Sequence, residues 1–326
     1  MNSLLSSHST HNTSQISGDS NAIPNWLIQA CLRRKWTLVS ANYRCIPEST
    51  AFELSEDLLA AFSYVSMSLS NALNKPTLVD PSRIIVAGHS GGGYCAVKAT
   101  LEVLKSPELP KPAATVSIYG MFDFLAPKWS VEGIDISKLS DEDAIAGEKD
   151  LERRMASKEI SMGEKFANSE AEMVDHTRWN LMRYILKEPV FVDYFSGVSG
   201  LGKKLASVQP VEPASYEKIM EELVPLEARQ LFVVDFGNLK PQMPPLFVVH
   251  GIADVDVPVR DSDRLFEQTK ALGVPTRYWR LEGLAHEFDL GFPDLEIPDT
   301  KITDEDILGA KAMMELLQGL DAIIRK

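Results

Sequence analysis

An α/β fold, a mostly parallel sheet flanked by helices and interrupted by a helical cap insertion, is predicted by three observations. Strand and helix patterns alternate from residue 24 to 126, and alternate again from 241 to 326. Between 127 and 240 that rhythm gives way to long helical patterns. A glycine-rich segment, Gly88 to Gly92, sits where a strand turns sharply into a helix. Alternation of this kind implies parallel strands covered on both faces. The chain therefore divides into a polar tail (1–23), a core built from 24–126 and 241–326, and a cap insertion (127–240).

The elements follow in order. Met1 to Pro24 hold seven Ser, two Thr and three Asn with no Lys or Arg, a composition that predicts a disordered tail and excludes a basic secretory or transit leader. PNWLIQACLRRKW (Pro24 to Trp36) has apolar residues at helical spacing, with Pro24 suited to a first helical position. TLVSANYR (Thr37 to Arg44) reads as a short strand, and Ser49 to about Ser70 as a long helix. DPSRIIVAGHSGGGYCAVKATLEVL is strand, turn and helix, and AATVSIYG (Ala113 to Gly120) the next strand. In the insertion only LFVVDFG (Leu231 to Gly237) is strand-like, and its pattern is ambiguous. After it come strand PPLFVVHG, helix DSDRLFEQTKALG, strand TRYWRLEG and a last helix from Asp304 to Ile324.

Composition narrows the function. Of 326 residues, 44% are hydrophobic and 24% charged, enough apolar material for a sizeable core. A net charge of −13 repels phosphate backbones, so nucleic acid is excluded as a partner. No apolar run approaches the roughly 18 residues that span a bilayer. Cys31, Cys45 and Cys95 are too few and scattered for a disulfide framework or zinc site, which predicts a reducing, cytoplasmic setting. No His pair has metal-ligand spacing, and neither metal nor cofactor is expected. A homodimer is left open.

Gly88-His89-Ser90-Gly91-Gly92 matches G-x-S-x-G between strand and helix. A serine on such a turn is forced into a strained conformation, and its hydroxyl projects above the sheet. The following helix N-terminus, with the Gly91 amide, faces any oxyanion formed there. Ser90 in the second glycine position rules out a dinucleotide fingerprint, and no Gly-Lys-Ser/Thr follows for a P-loop. A serine nucleophile needs a base, and the base an orienting acid. Asp254 lies just past strand LFVVHG, nearer its end than Asp256, and His286 follows the next strand. Both positions fall on the carboxyl edge of a parallel sheet. His250, which ends an apolar strand, reads as packed. In the insertion Trp179, Tyr184 and Phe191 are candidates to line a substrate pocket, against ordinary helix packing.

These residues resemble the alpha/beta-hydrolase fold, and within it the hormone-sensitive-lipase-like (fold-3) esterases, fungal members included. Asn42-Tyr43-Arg44-Cys45-Ile46-Pro47-Glu48 is similar to that group's D-Y-R-L-x-P-E segment. The Ser90 turn, Asp254 ahead of Val257-Pro258, and His286-Glu287-Phe288-Asp289 match its other landmarks. The resemblance implies a serine carboxylesterase acting on a small, mostly apolar ester or lactone, with Ser90, His286 and Asp254 as triad and Gly91 in the oxyanion hole. It leaves open a cyclase or acyl-transfer enzyme of secondary metabolism using the same residues. It also leaves open an impaired ligand-binding relative, although plant gibberellin receptors have lost the histidine that stands here as His286. The group's H-G-G-G oxyanion segment falls on His11-Asn12-Thr13-Ser14, which lacks the glycines. The strand ahead of that segment is replaced by MNSLLSSHST, and the earlier strands are expected to be missing. The expectation that follows is a weak, poorly stable esterase.

Overall fold

In the computed structural model, the described residues are 3–8, 23–129, 140–157, 160, 177–188, 190–208, 213–297 and 301–325. They form one six-stranded parallel sheet in the order β2-β1-β3-β4-β5-β6. The core runs as β1 (Ser3–His8), α1 (Asn25–Arg34), β2 (Thr37–Ser40), α2 (Ala51–Met67), the short α3 (Leu69–Ala72), β3 (Ile84–His89), α4 (Gly91–Leu104) and β4 (Ala114–Ile118). The insertion contributes α5 (Asp141–Ser157), α6 (Thr177–Lys187), α7 (Phe191–Ser196), α8 (Leu201–Ser207) and α9 (Pro213–Leu223). The chain returns through β5 (Leu246–Gly251), α10 (Val259–Ala271), β6 (Thr276–Leu281) and α11 (Ile307–Ile324).

Every residue of β3, β4 and β5 is buried, as strands covered on both faces require. One apolar cluster joins α2, α4 and the insertion helices on one side of the sheet. A second joins α1 and α11 on the other. Helix α2 opens on a capping box in which Thr50 and Glu53 satisfy each other's backbone amides. Glycines set the spacing where α4 crosses the sheet. A Cβ on Gly93 would stand 2.6 Å from the Gly120 Cα and 2.7 Å from the Ser117 Oγ.

The tail expectation is corrected over Ser3–His8. These residues are an interior strand, in parallel register with Thr37–Ser40 on one side and with Ile84–His89 on the other. Low strand propensity is a weak guide for a segment that pairs on both edges, because the ladder is made by backbone groups common to all residues. Residues 9–22, with His11 to Ser14 among them, lie outside the described residues.

The ambiguous LFVVDFG is not a strand. A 3₁₀ turn (Ala228–Leu231) leads into it, and Phe236 and Gly237 take positive φ of 53° and 66°. The Asn238 amide closes the loop by donating to the Arg229 and Phe232 carbonyls at 2.6 and 2.9 Å. Among the described residues of 127–240 the regular elements are helical. Arg154 of α5 ties the insertion to the core through Glu48 at 3.0 Å.

Candidate active site

The carboxyl edge of the sheet brings three of the sequence candidates together. Ser90 stands between β3 and α4 with φ 53° and ψ −128°, a conformation that costs on the order of 1–3 kcal/mol. Its surroundings hold it there: the Ser90 amide donates to the Ile118 carbonyl at 2.9 Å, and the Ser90 carbonyl accepts from Gly93 and Met121. His286 Nε2 lies 3.0 Å from the Ser90 Oγ, and His286 Nδ1 lies 2.6 Å from the Asp254 Oδ2. Gly91 is the first residue of α4. Its amide is therefore one of the first-turn groups with no partner within the helix.

Asp254 is enclosed and saturated with donors. Its Oδ1 accepts from the Asp256 and Val257 amides at 3.0 and 2.8 Å, and His250 Nε2 stands 3.2 Å from Oδ2. Burial alone would raise its pKa, but the interactions with His250 and His286 outweigh burial and bring it down to about 2. Burial works against a charged His286 too. The Asp254 bond and charge, with Glu287 and Asp256 adding theirs, outweigh it and raise the imidazole's affinity for a proton. An ionised acid beside a base biased towards protonation suits proton transfer from a serine.

The loop carrying His286 is fixed at both ends. Ile252 and Ala253 donate to the Leu281 and Leu284 carbonyls at 2.7 and 3.0 Å. A Cβ on Gly251 would collide with the Leu284 carbonyl, so only glycine lets β5 pass under the loop. Beyond His286, the buried Asp289 accepts from the Tyr119 hydroxyl at 2.6 Å and from the Trp26 indole at 2.9 Å. The Tyr119 ring lies 4.7 Å from the His286 ring. Arg33 pairs with Asp294 and Arg34 with Glu296 and Asp321, clamping α1 over the same loop and α11.

Three of these supports, His250, Tyr119 and Trp26, have no local sequence signature. Asp289 stands in the histidine motif, but its role depends on partners 170 and 263 residues away.

The substrate-binding candidates fare differently. Phe191 is fully buried among Phe124, Trp129 and Phe195 with centroids 5.5 to 5.9 Å away, so core packing accounts for it. Tyr184 is half-buried on α6, where burial, with the nearby Glu148 of α5 adding its charge, pushes its hydroxyl's pKa up. Trp179 belongs to α6, and its side chain lies outside the described residues. Among the described residues no group of His, Cys, Asp or Glu is arranged to hold a metal, and no helix is long and apolar enough to cross a membrane.

Known proteins share this frame. A methylphloroacetophenone synthase from Cladonia uncialis is 26% identical over 291 residues, 83% of this chain but 11% of the synthase, so the chain spans about a tenth of that relative's length. A probable carboxylesterase M8 from a Phoma species is 35% identical over 82 residues, 23% of this chain and 25% of that protein. The crystal structure of an esterase from the bacterial hormone-sensitive lipase family superposes with a TM-score of 0.53 at 17% identity, covering 99% of this chain and 77% of that one. The model of the alpha/beta hydrolase fold family matches residues 9–171, half of the sequence, and the chain belongs to that family, in its hormone-sensitive-lipase-like group.

Proposed function

We propose that this protein hydrolyses carboxylic esters by a serine mechanism, on a small, mostly apolar ester or lactone. The observation that carries the reading is the continuous chain Ser90 Oγ, His286, Asp254 at 3.0 and 2.6 Å. The Ser90 oxygen attacks the ester carbonyl carbon while His286 Nε2 takes its proton. Asp254 holds the Nδ1–H and stabilises the imidazolium. The Gly91 amide donates to the oxyanion. Collapse expels the alcohol, which takes the proton back from His286 and leaves an acyl-serine. A water, deprotonated by the same nitrogen, then releases the acid.

A fluorophosphonate probe and short-chain p-nitrophenyl esters test this directly. The wild type is expected to be labelled and to turn over the esters, and Ser90→Ala to do neither. Equal labelling of the two proteins would place the nucleophile elsewhere.

A second reading, acyl transfer or cyclisation at the same serine, is favoured by one observation: the methylphloroacetophenone synthase aligns with most of this chain, the carboxylesterase with less than a quarter. An acyl thioester carrying an internal hydroxyl separates the two. Free acid as product supports hydrolysis, and a lactone supports cyclisation.

A further inference from the structure

Asp254 has a second histidine on it. His250, the fifth residue of β5, is fully buried, and its ring nitrogens contact two different elements. Nε2 stands 3.0 Å from the Val257 carbonyl oxygen and 3.2 Å from the Asp254 Oδ2, while Nδ1 stands 2.7 Å from the Ser262 Oγ on α10. A carbonyl oxygen can only accept. The Nε2 atom must therefore carry a hydrogen, and the Ser262 hydroxyl then donates to Nδ1. One imidazole in one tautomer thus spans both ends of the 254–257 turn. It shares the carboxylate oxygen that also takes the His286 Nδ1–H.

We propose that His250 is a positioning residue for the acid of the triad: its Nε2–H, oriented by Ser262 and bonded to the Val257 carbonyl, fixes the 254–257 turn and, 3.2 Å from Oδ2, takes up part of the charge on the oxygen that meets His286. The proposal rests on the serine-hydrolase reading and deepens it. Without that contact the Asp256 and Val257 amides still hold Oδ1, but Oδ2, the oxygen that meets His286, loses its second partner. More of its charge then falls on His286. The groups that face His286 are Asp254, Glu287 and Asp256 as charges, the Tyr119 ring and the Ser90 hydroxyl. All of them remain in a His250 variant. The neutral imidazole is the working base, so a stronger pull from Asp254 moves the acid limb of the kcat/KM profile to higher pH.

The test compares His250→Gln with His250→Asn, because the Gln amide nitrogen falls near the lost Nε2 and the Asn amide nitrogen near Nδ1. Ester turnover is measured from pH 5 to 9, normalised to fluorophosphonate-reactive sites, with Ser90→Ala alongside. His250→Asn is expected to lose about tenfold in kcat, the order of one hydrogen bond to a charged group. Its KM should change little and its acid limb should move up. His250→Gln is expected to keep the wild-type limb and most of kcat. Equal kcat and equal limbs in the two variants make His250 a packing residue and overturn the proposal. If the probe does not depend on Ser90, the serine-hydrolase reading falls, and the positioning role with it. The wild type supplies a readout independent of variant folding. Imidazole ¹⁵N spectra are expected to show His250 protonated at Nε2, and finding the proton on Nδ1 alone overturns the proposal.

Discussion

The two flanks of Ser90 are built by different means. On the β4–β6 flank, side chains do the positioning. His286 is held by Asp254, Asp254 by two amides and His250, and the histidine loop by Asp289 with Tyr119 and Trp26. On the β1 flank the backbone does it. SLLSSH lies between β2 and β3 in parallel register with both, its last residue His8 opposite His89, one residue before Ser90. The first kind of construction needs particular residues at particular places. The second needs only a chain free of proline and long enough to pair on both sides. The flanks should therefore respond differently to substitution.

The largest effect is expected where the side-chain flank meets the chemistry. Asp254→Asn keeps the size of the group but favours the wrong imidazole tautomer, and kcat should fall by about 10⁴. Asp256→Asn, two residues on, removes a carboxylate that touches His286 only through its field and should cost less than about threefold, as a partly exposed charge does. Steady-state kinetics on both variants check the contrast. Comparable losses would show that the acid was assigned to the wrong carboxylate.

On the backbone flank the change that matters is to the main chain. Leu5 pairs with Val39 and with Val86. Leu5→Pro deletes a ladder donor inside the sheet, leaves its acceptor unpaired and should cost about 1–3 kcal/mol. Leu5→Thr, which leaves the backbone intact, should cost far less. Thermal melts of the two variants measure it. If proline melts no lower than threonine, β1 contributes no pairing and the sheet stands without it.

The same contrast explains what can be read in the sequence. Ser90, Asp254 and His286 are legible because each belongs to a short local pattern: a glycine-flanked serine after an apolar strand, an acid just past a strand end, a histidine after the next strand. His250 is not. An isolated histidine ending an apolar strand looks the same whether it merely packs or bonds Asp254, and its second partner, Ser262, comes 12 residues later on a helix. Phe191 shows the reverse. An aromatic run in an insertion reads equally as pocket or core, and only the ring contacts to Phe124 and Trp129 decide for core. For β1 the composition is misleading. Four polar residues in six predict a tail when judged alone, and the partners that make them a strand lie 34 and 81 residues downstream.

The smallest predicted effect separates two carboxylates of the side-chain flank. Asp254 and Asp261 are both buried, yet Asp254 is held down at about 2 and Asp261 is pushed up to about 7. Asp261 stands in the first turn of α10, and its Oδ2 accepts from the Phe122 and Asp123 amides at 2.7 and 3.0 Å. Burial and the charge of Asp123 oppose its ionisation. The two amides and Arg264, which itself pairs with Asp123 and Asp235, only partly offset them. Asp261 therefore braces the loop after β4 but is better uncharged. Its folded value lies above its unfolded one, so its contribution to stability is fully present below the unfolded value near 3.8 and is lost as pH rises through about 7. Asp261→Asn keeps an acceptor for both amides and cannot ionise. It should melt a few degrees above wild type at pH 8, the scale of about 1–2 kcal/mol in a chain of this size. That gap should narrow as pH falls through 7 towards 5. Asp254→Asn, by the opposite shift, should melt below wild type at pH 8, because it discards a carboxylate that the fold favours ionised. If both variants moved the melting temperature in the same direction, the two carboxylates would not differ in this way, and the balance of donors around each would have to be assigned again.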